Sequence, residues 1–202
     1  IADDGFYTPL RSIRQIRETS GEIEFSYPYS VEQRMRPEPI TLLKFALQQT
    51  FLTGTARGYS KKDVDKWNAG GKTGTSDDQR DSWFVGFAGD LLVLVWLGFD
   101  DNRPTVLTGR TGAFQVWKNF INDINPVPTE KTKLQRIQYV WTDIDDGLLS
   151  GKSCRNSLLV PFIQGTEPIK VPNVRKKCFT KNPSNNGAKI DKIKKIFEGG
   201  QG

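Results

Sequence analysis

The sequence predicts an α/β chain of the α+β kind, in which an antiparallel sheet is covered by helices. Three observations carry this. Two strand-like runs, Asp81 to Ala88 and Leu91 to Phe99, are separated only by Gly89-Asp90, a connection short enough for a hairpin. Ahead of them lies a segment whose apolar residues Ile40, Leu43, Leu47 and Phe51, flanked by Leu42 and Ala46, keep helical spacing. Behind them, Gly112 to Ile124 is a second amphipathic helix, with Phe114, Trp117, Phe120 and Ile121 expected to face inward.

Taken in order, residues 6–27 read as a hairpin. Tyr7 to Arg17 alternates through Leu10, Ile13 and Ile16, Thr19-Ser20-Gly21 turns, and Glu22 to Tyr27 returns. Pro37-Glu38-Pro39 opens a helix of about 15 residues, since proline is tolerated in the first turn. Thr53-Gly54-Thr55-Ala56-Arg57-Gly58 ends it, and a polar loop containing Lys61-Lys62-Asp63 leads to the run Gly70 to Thr75. Ser76-Asp77-Asp78-Gln79-Arg80 is a polar turn. Leu91 to Phe99 is apolar at nearly every position, so it is expected to be central and covered on both faces. Trp83, Trp96 and Trp117 fall in these apolar elements and are expected in the core rather than as ligand platforms.

Asn125-Pro126-Val127-Pro128 marks a boundary between a domain over 1–124 and an extension over 125–202. The charge divides there too. Residues 1–125 hold 15 Lys/Arg against 16 Asp/Glu, and residues 126–202 hold 14 against 7, so the net +6 belongs to the extension. Short strands are expected at Ile137 to Trp141 and Ser157 to Ile163, and a basic amphipathic helix at Lys189 to Phe197. Pro183 to Gly187 is expected to be flexible.

Composition narrows the chemistry. There is no histidine, so the commonest metal ligand and general base are missing, and two cysteines cannot alone build a zinc site. No metal and no cofactor is expected, and no nucleic-acid partner. The longest apolar run is less than half a membrane span. Cys154 and Cys178 could pair in an oxidising compartment or remain thiols.

The stretch Trp67-Asn68-Ala69-Gly70-Gly71-Lys72-Thr73-Gly74-Thr75-Ser76 carries the most chemistry. On a strand at the rim of a groove, Lys72 would place a positive charge beside a serine nucleophile, help carry its proton and attract a substrate carboxylate. The hydroxyls of Thr73 and Thr75 could bind that carboxylate. Gly74 would let a ligand backbone approach, and the Thr75 N–H is a candidate oxyanion donor. A phosphate-binding loop is excluded, because the glycine it needs five positions before Gly71 is Lys66. A calcium loop at Asp143-x-Asp145-Asp146-Gly147 fails as well: its glycine comes one position early, and Cys154 stands where a bidentate Glu belongs.

Helix, Gly54-Thr55-Ala56, loop, Gly71-Lys72-Thr73-Gly74-Thr75, Trp83-Phe84-Val85-Gly86-Phe87, apolar strand and closing helix, in that order, resemble the C-terminal half of a penicillin-binding transpeptidase domain. Gly5 to Ile16 resembles the hairpin that precedes the helix in that family, so the likeness covers about residues 1–124. Trp96-Leu97-Gly98-x-Asp100-Asp101-Asn102-x-Pro104-Thr105 and a polar extension with a cysteine pair are similar to the class A, bifunctional subfamily. The resemblance implies the penicillin-binding/serine β-lactamase-like transpeptidase fold, C-terminal half only, with a small disulfide-linked tail. Cys154 and Cys178 are accordingly expected to be bonded.

What the resemblance implies for function is a peptidoglycan DD-transpeptidase acting through an acyl-serine on the periplasmic face of the bacterial inner membrane. Its partners would be stem peptides and β-lactams. Lys72 and Thr75 take catalytic roles on this reading, and Thr73, Gly74 and Thr75 bind substrate. The family's nucleophile lies in Ser-x-x-Lys, and no Ser here has a Lys three positions later. Its Ser-x-Asn motif should precede Lys-Thr-Gly, whereas Ser184-Asn185-Asn186 lies 112 residues after Lys72. The chain is therefore expected to be part of a longer polypeptide. The other part would carry the serine, the Ser-x-Asn motif, a membrane helix and a glycosyltransferase domain. The alternative is a non-enzymatic docking or regulatory segment whose basic tail binds cell wall, lipid or a protein partner.

Overall fold

A computed structural model describes residues 1–129 and 134–168. The chain divides into two units, residues 1–134 and 135–202. In the first, β1 (Phe6–Tyr7) pairs antiparallel with β4 (Glu32–Gln33), and β2 (Gln15–Arg17) with β3 (Ile23–Ser26). The expected long hairpin is thus two short ribbons, and Thr8 to Arg14 is not strand. The β2–β3 turn closes with Gly21 N–H donating to Glu18 C=O at 2.9 Å, where Gly21 adopts φ +92°.

α1 (Pro37–Leu52) begins with Pro37 at its first position and carries Glu38 in its first turn, where a carboxylate meets the positive helix end. Ile40 and Phe51 of its apolar stripe are buried. The expected polar loop after α1 is instead a second helix, α2 (Lys61–Trp67). Ser60 and Asp63 form a capping box: the Ser60 hydroxyl accepts from Asp63 N–H, and the Asp63 carboxylate accepts from Ser60 N–H at 3.3 Å. Val64 and Trp67, three apart, turn inward, and Asn68 closes the helix in the left-handed region.

β5 (Gly70–Thr75), β6 (Ser82–Ala88) and β7 (Leu91–Leu97) form a three-stranded antiparallel sheet in the order β5-β6-β7. Lys72 stands opposite Val85, Gly74 opposite Trp83, and Trp83 opposite Trp96. α3 (Ala113–Ile124) covers one face: Phe114, Trp117 and Ile121 pack on Phe84 and Ala88, with Phe51 of α1 completing the cluster. The Phe51 ring lies 5.5 Å from Trp117 and 5.8 Å from Phe114, and Phe84 lies 5.1 Å from both Phe114 and Trp117. Each such ring contributes roughly 1.5–3 kcal/mol by burial.

Three expectations about this region are corrected. β7 is not covered on both faces: Val93 and Val95 pack on the core, but Leu92 and Leu94 are 62% and 58% exposed, and β7 pairs only with β6 among the described residues. Trp83 and Trp96 are exposed on that same face, with Trp96 Nε1 donating to Asp81 Oδ1 at 2.9 Å, and only Trp117 is core. Phe120 is exposed as well, because α3 presents just the Phe114-Trp117-Ile121 stripe to the sheet.

In the second unit, β8 (Ile137–Asp143) pairs antiparallel with β9 (Ser157–Ile163), as the two short strands predicted. The connection turns at Asp143 to Gly147, where Asp145 N–H donates to Asp143 Oδ1 at 2.8 Å and Gly147 N–H to Asp143 C=O. Cys154 is buried in this unit. Cys178, the 189–197 helix and the 183–187 segment lie outside the described residues, so the expected disulfide is not established.

Candidate active site

Among the described residues the Lys-Thr-Gly strand is an edge. β5 has β6 on one side, and its other backbone side is open to side-chain donors: Gly71 C=O accepts from Thr50 Oγ1 at 2.7 Å, and Thr73 C=O from Lys72 Nζ at 2.7 Å. In an antiparallel strand a residue turns its N–H and C=O to the same side, and alternate residues share that side. Gly71, Thr73 and Thr75 therefore face outward, and the Thr75 N–H points off the sheet edge. A preorganised backbone donor of this kind is what an oxyanion needs.

The side chains split across the two faces. Lys72 and Gly74 lie on the face that carries Trp83, Val85, Leu94 and Trp96. The Lys72 side chain is exposed. Gly74 lies directly against Trp83, where an added Cβ would stand 3.1 Å from the Trp83 Cβ. Thr73 and Thr75 lie on the other face, and both hydroxyls have partners. Thr73 Oγ1 is 2.7 Å from Thr55 Oγ1, and Thr75 Oγ1 accepts from Gly109 N–H at 2.8 Å. The four predicted residues thus surround one strand edge that pairs with no other strand among the described residues: a cation on one face, two hydroxyls on the other, and an outward backbone N–H between them.

The sequence reading missed what holds this edge. Thr55 enters the sequence reading only as the end of the helix and as part of the Gly54-Thr55-Ala56 resemblance, and residues 106–111 do not enter it. Ser82, fully buried, donates to Thr108 C=O at 2.8 Å and accepts from Ala113 N–H at 2.9 Å, so it ties that segment and the start of α3 to the sheet. The Thr108-x-x-Thr111 spacing, whose hydroxyls and amides bond reciprocally, was the available signal. Tyr59 closes the far side of the core: its hydroxyl donates to Lys118 C=O and Asn122 Oδ1, both at 3.2 Å. Burial, and then the nearby Asp63 carboxylate, push its pKa above the ordinary tyrosine value. No group of three His, Cys, Asp or Glu among the described residues is placed to hold a metal ion.

The chain is similar to known proteins in sequence and in fold. The family described as the penicillin binding protein transpeptidase domain matches residues 1–102. Penicillin-binding protein 1B of Haemophilus influenzae is 39% identical over 125 residues, 62% of this chain and 16% of that protein. Its counterpart in Vibrio cholerae is 35% identical over 121 residues, 60% of this chain and 15% of that protein. This chain therefore matches only about a sixth of the length of those relatives. A crystal structure of penicillin-binding protein 1A from Haemophilus influenzae superposes with a TM-score of 0.62 at 22% identity, over 85% of this chain and 31% of that one, which supports the fold. An open Lys72-Thr73-Gly74-Thr75 edge on a helix-backed antiparallel sheet and a family match over 1–102 place this chain in the penicillin-binding protein transpeptidase domain family.

Proposed function

We propose that this chain supplies one wall of the active site of a peptidoglycan DD-transpeptidase, and that the serine comes from another part of the same polypeptide. The observation that carries this is the open edge of β5, with Lys72 on a sheet face whose apolar residues Trp83, Val85, Leu92, Leu94 and Trp96 are exposed. Such a contiguous apolar surface beside a charged strand suits a covering domain better than solvent. A serine carried over that face would meet the Lys72 ammonium.

In the reaction, the serine hydroxyl attacks the penultimate D-Ala carbonyl, the terminal D-Ala leaves with a proton, and an acyl-enzyme remains. An amine of a second stem peptide then takes the acyl group and returns the proton to the serine. Lys72 assists proton transfer through its charge and hydrogen bonding. The Thr75 N–H stabilises the tetrahedral oxyanion, and the Thr73 and Thr75 hydroxyls bind the substrate's terminal carboxylate while Gly74 allows its backbone close. A β-lactam would acylate the same serine.

On this reading, which follows the resemblance to the class A subfamily, the full polypeptide also carries a glycosyltransferase domain and is held at the periplasmic face of the inner membrane by a segment outside this chain. Residues 125–202 follow the catalytic wall in sequence, and a Cys154–Cys178 bond within them is part of this proposal. The test is labelling with fluorescent penicillin. The isolated chain is expected to remain unlabelled, and the full-length polypeptide to label on a serine outside it. Covalent labelling of the pure isolated chain, or none of the full-length protein, refutes the reading.

A further inference from the structure

Both threonine hydroxyls of the Lys72–Thr75 strand have a hydrogen-bonding partner brought from elsewhere in the chain. We infer that Thr55 and the Gly109 backbone are positioning residues that turn the Thr73 and Thr75 hydroxyls into outward-pointing donors for a ligand carboxylate. This rests on the proposed reading of the strand as a carboxylate-binding wall.

A threonine hydroxyl has one proton and two acceptor lone pairs, and left alone it rotates to suit its surroundings. At Thr75 the acceptor side is taken by Gly109 N–H at 2.8 Å, so the single proton remains for an acceptor outside. At Thr73 the partner is the Thr55 hydroxyl at 2.7 Å. When a carboxylate approaches, the favoured chain runs from the Thr55 O–H to Thr73 Oγ1 and from the Thr73 O–H to the anion. Each bond polarises the next, and the terminal one is charge-assisted. Without these partners each hydroxyl would have to give up rotational freedom on binding.

Gly109 is held as a positioning group should be. An added Cβ there would lie 2.6 Å from Gly74 O, 2.8 Å from Trp83 O and 2.9 Å from Gly74 N, so only glycine lets this loop lie on the strand backbone. Thr108 C=O accepts from the buried Ser82, and Gly109 C=O accepts from Phe114 N–H at 2.9 Å, which fixes the amide on both sides. Thr55 follows the end of α1, where Gly54 N–H donates to Gln49 C=O and the next residue, Ala56, is fully buried.

Two measurements test this. In the full-length enzyme, Thr55→Val removes the hydroxyl and keeps the shape. Its acylation by benzylpenicillin should slow about tenfold, and acylation by benzylpenicillin methyl ester, which lacks the carboxylate charge, by less than about twofold. Thr55→Ser should stay within about threefold of wild type. In a Thr73→Val background, Thr55→Val should add less than about twofold, because its effect passes through that hydroxyl. Equal slowing with acid and ester, or undiminished slowing in the Thr73→Val background, makes Thr55 merely structural and overturns the inference. If the wild-type enzyme is not acylated at all, the proposed function has failed instead. The second measurement then still decides the bracing: in the present chain, Thr75→Val should speed hydrogen exchange of the Gly109 amide about fivefold or more. An unchanged rate refutes the brace.

Discussion

Replacing Ser82 by Ala should destabilise the first unit more than any other loss of one hydroxyl oxygen from it. The side chain has no exposed surface and makes two hydrogen bonds, donating to Thr108 C=O at 2.8 Å and accepting from Ala113 N–H at 2.9 Å. α3 has no side-chain cap of its own, since Gly112 precedes it, so Ser82 does from the sheet what an N-cap residue does from the chain. Losing a cap typically costs about 1 kcal/mol. Leaving the Thr108 carbonyl without this buried donor adds about 1–2 kcal/mol. The sum is about 2–3 kcal/mol, which for a unit spanning residues 1–134 lowers the melting temperature by about 7–11 °C. Calorimetry of the chain, following the transition of the first unit, measures it, and hydrogen exchange at Ala113 and Phe114 localises it. A shift under about 2 °C would show that α3 and the 105–112 segment are held by ring packing alone.

Four further outcomes are expected. In the full-length enzyme, Lys72→Met should cost about 2.7–4 kcal/mol in acylation, as for a lost oxyanion-site contribution. Thr75→Ala keeps its N–H and should cost about 1–3 kcal/mol, so equal losses with intact melting temperatures would reverse these roles. Tyr59 should make stability fall at alkaline pH. Below about pH 9 both states keep the proton; as pH rises through about 10 the unfolded chain ionises first, while burial and Asp63 hold Tyr59 protonated in the fold. Denaturation of wild type against Tyr59→Phe across pH 9–11 checks this, and identical slopes would contradict it. Intact mass with and without reduction should show Cys154 and Cys178 bonded, worth about 3 kcal/mol on the loop-closure estimate, and two freely alkylated thiols would end that expectation. Deleting residues 125–202 from the full-length enzyme should leave acylation nearly unchanged, and its collapse in a folded variant would move the boundary.

Much of this protein was legible in its order of residues. α1 and α3 announce themselves by spacing, because Ile40 and Phe51, or Phe114, Trp117 and Ile121, must share a stripe to be buried at all. The hairpin of β6 and β7 follows from two apolar runs separated by Gly89-Asp90, and Lys72 to Thr75 stood out by residue type. α2 was also written locally, in the Ser60-x-x-Asp63 box with Val64 and Trp67 three apart, and was overlooked because its polar residues read as a loop.

Tertiary structure decided the rest, because the remaining questions concern partners distant in sequence. Whether β7 is covered on both faces depends on what lies against Leu92 and Leu94, and an apolar residue looks the same in sequence whether it is buried or awaits a partner. Trp83 and Trp96 were misplaced for that reason. The holding of Thr73 by Thr55, of Thr75 by Gly109, and of α3 by Ser82 joins positions 18, 34 and 31 residues apart. Local patterns encode which face an element buries. Which hydroxyl meets which amide across the sheet edge is set only when the packed core brings those segments within hydrogen-bonding distance.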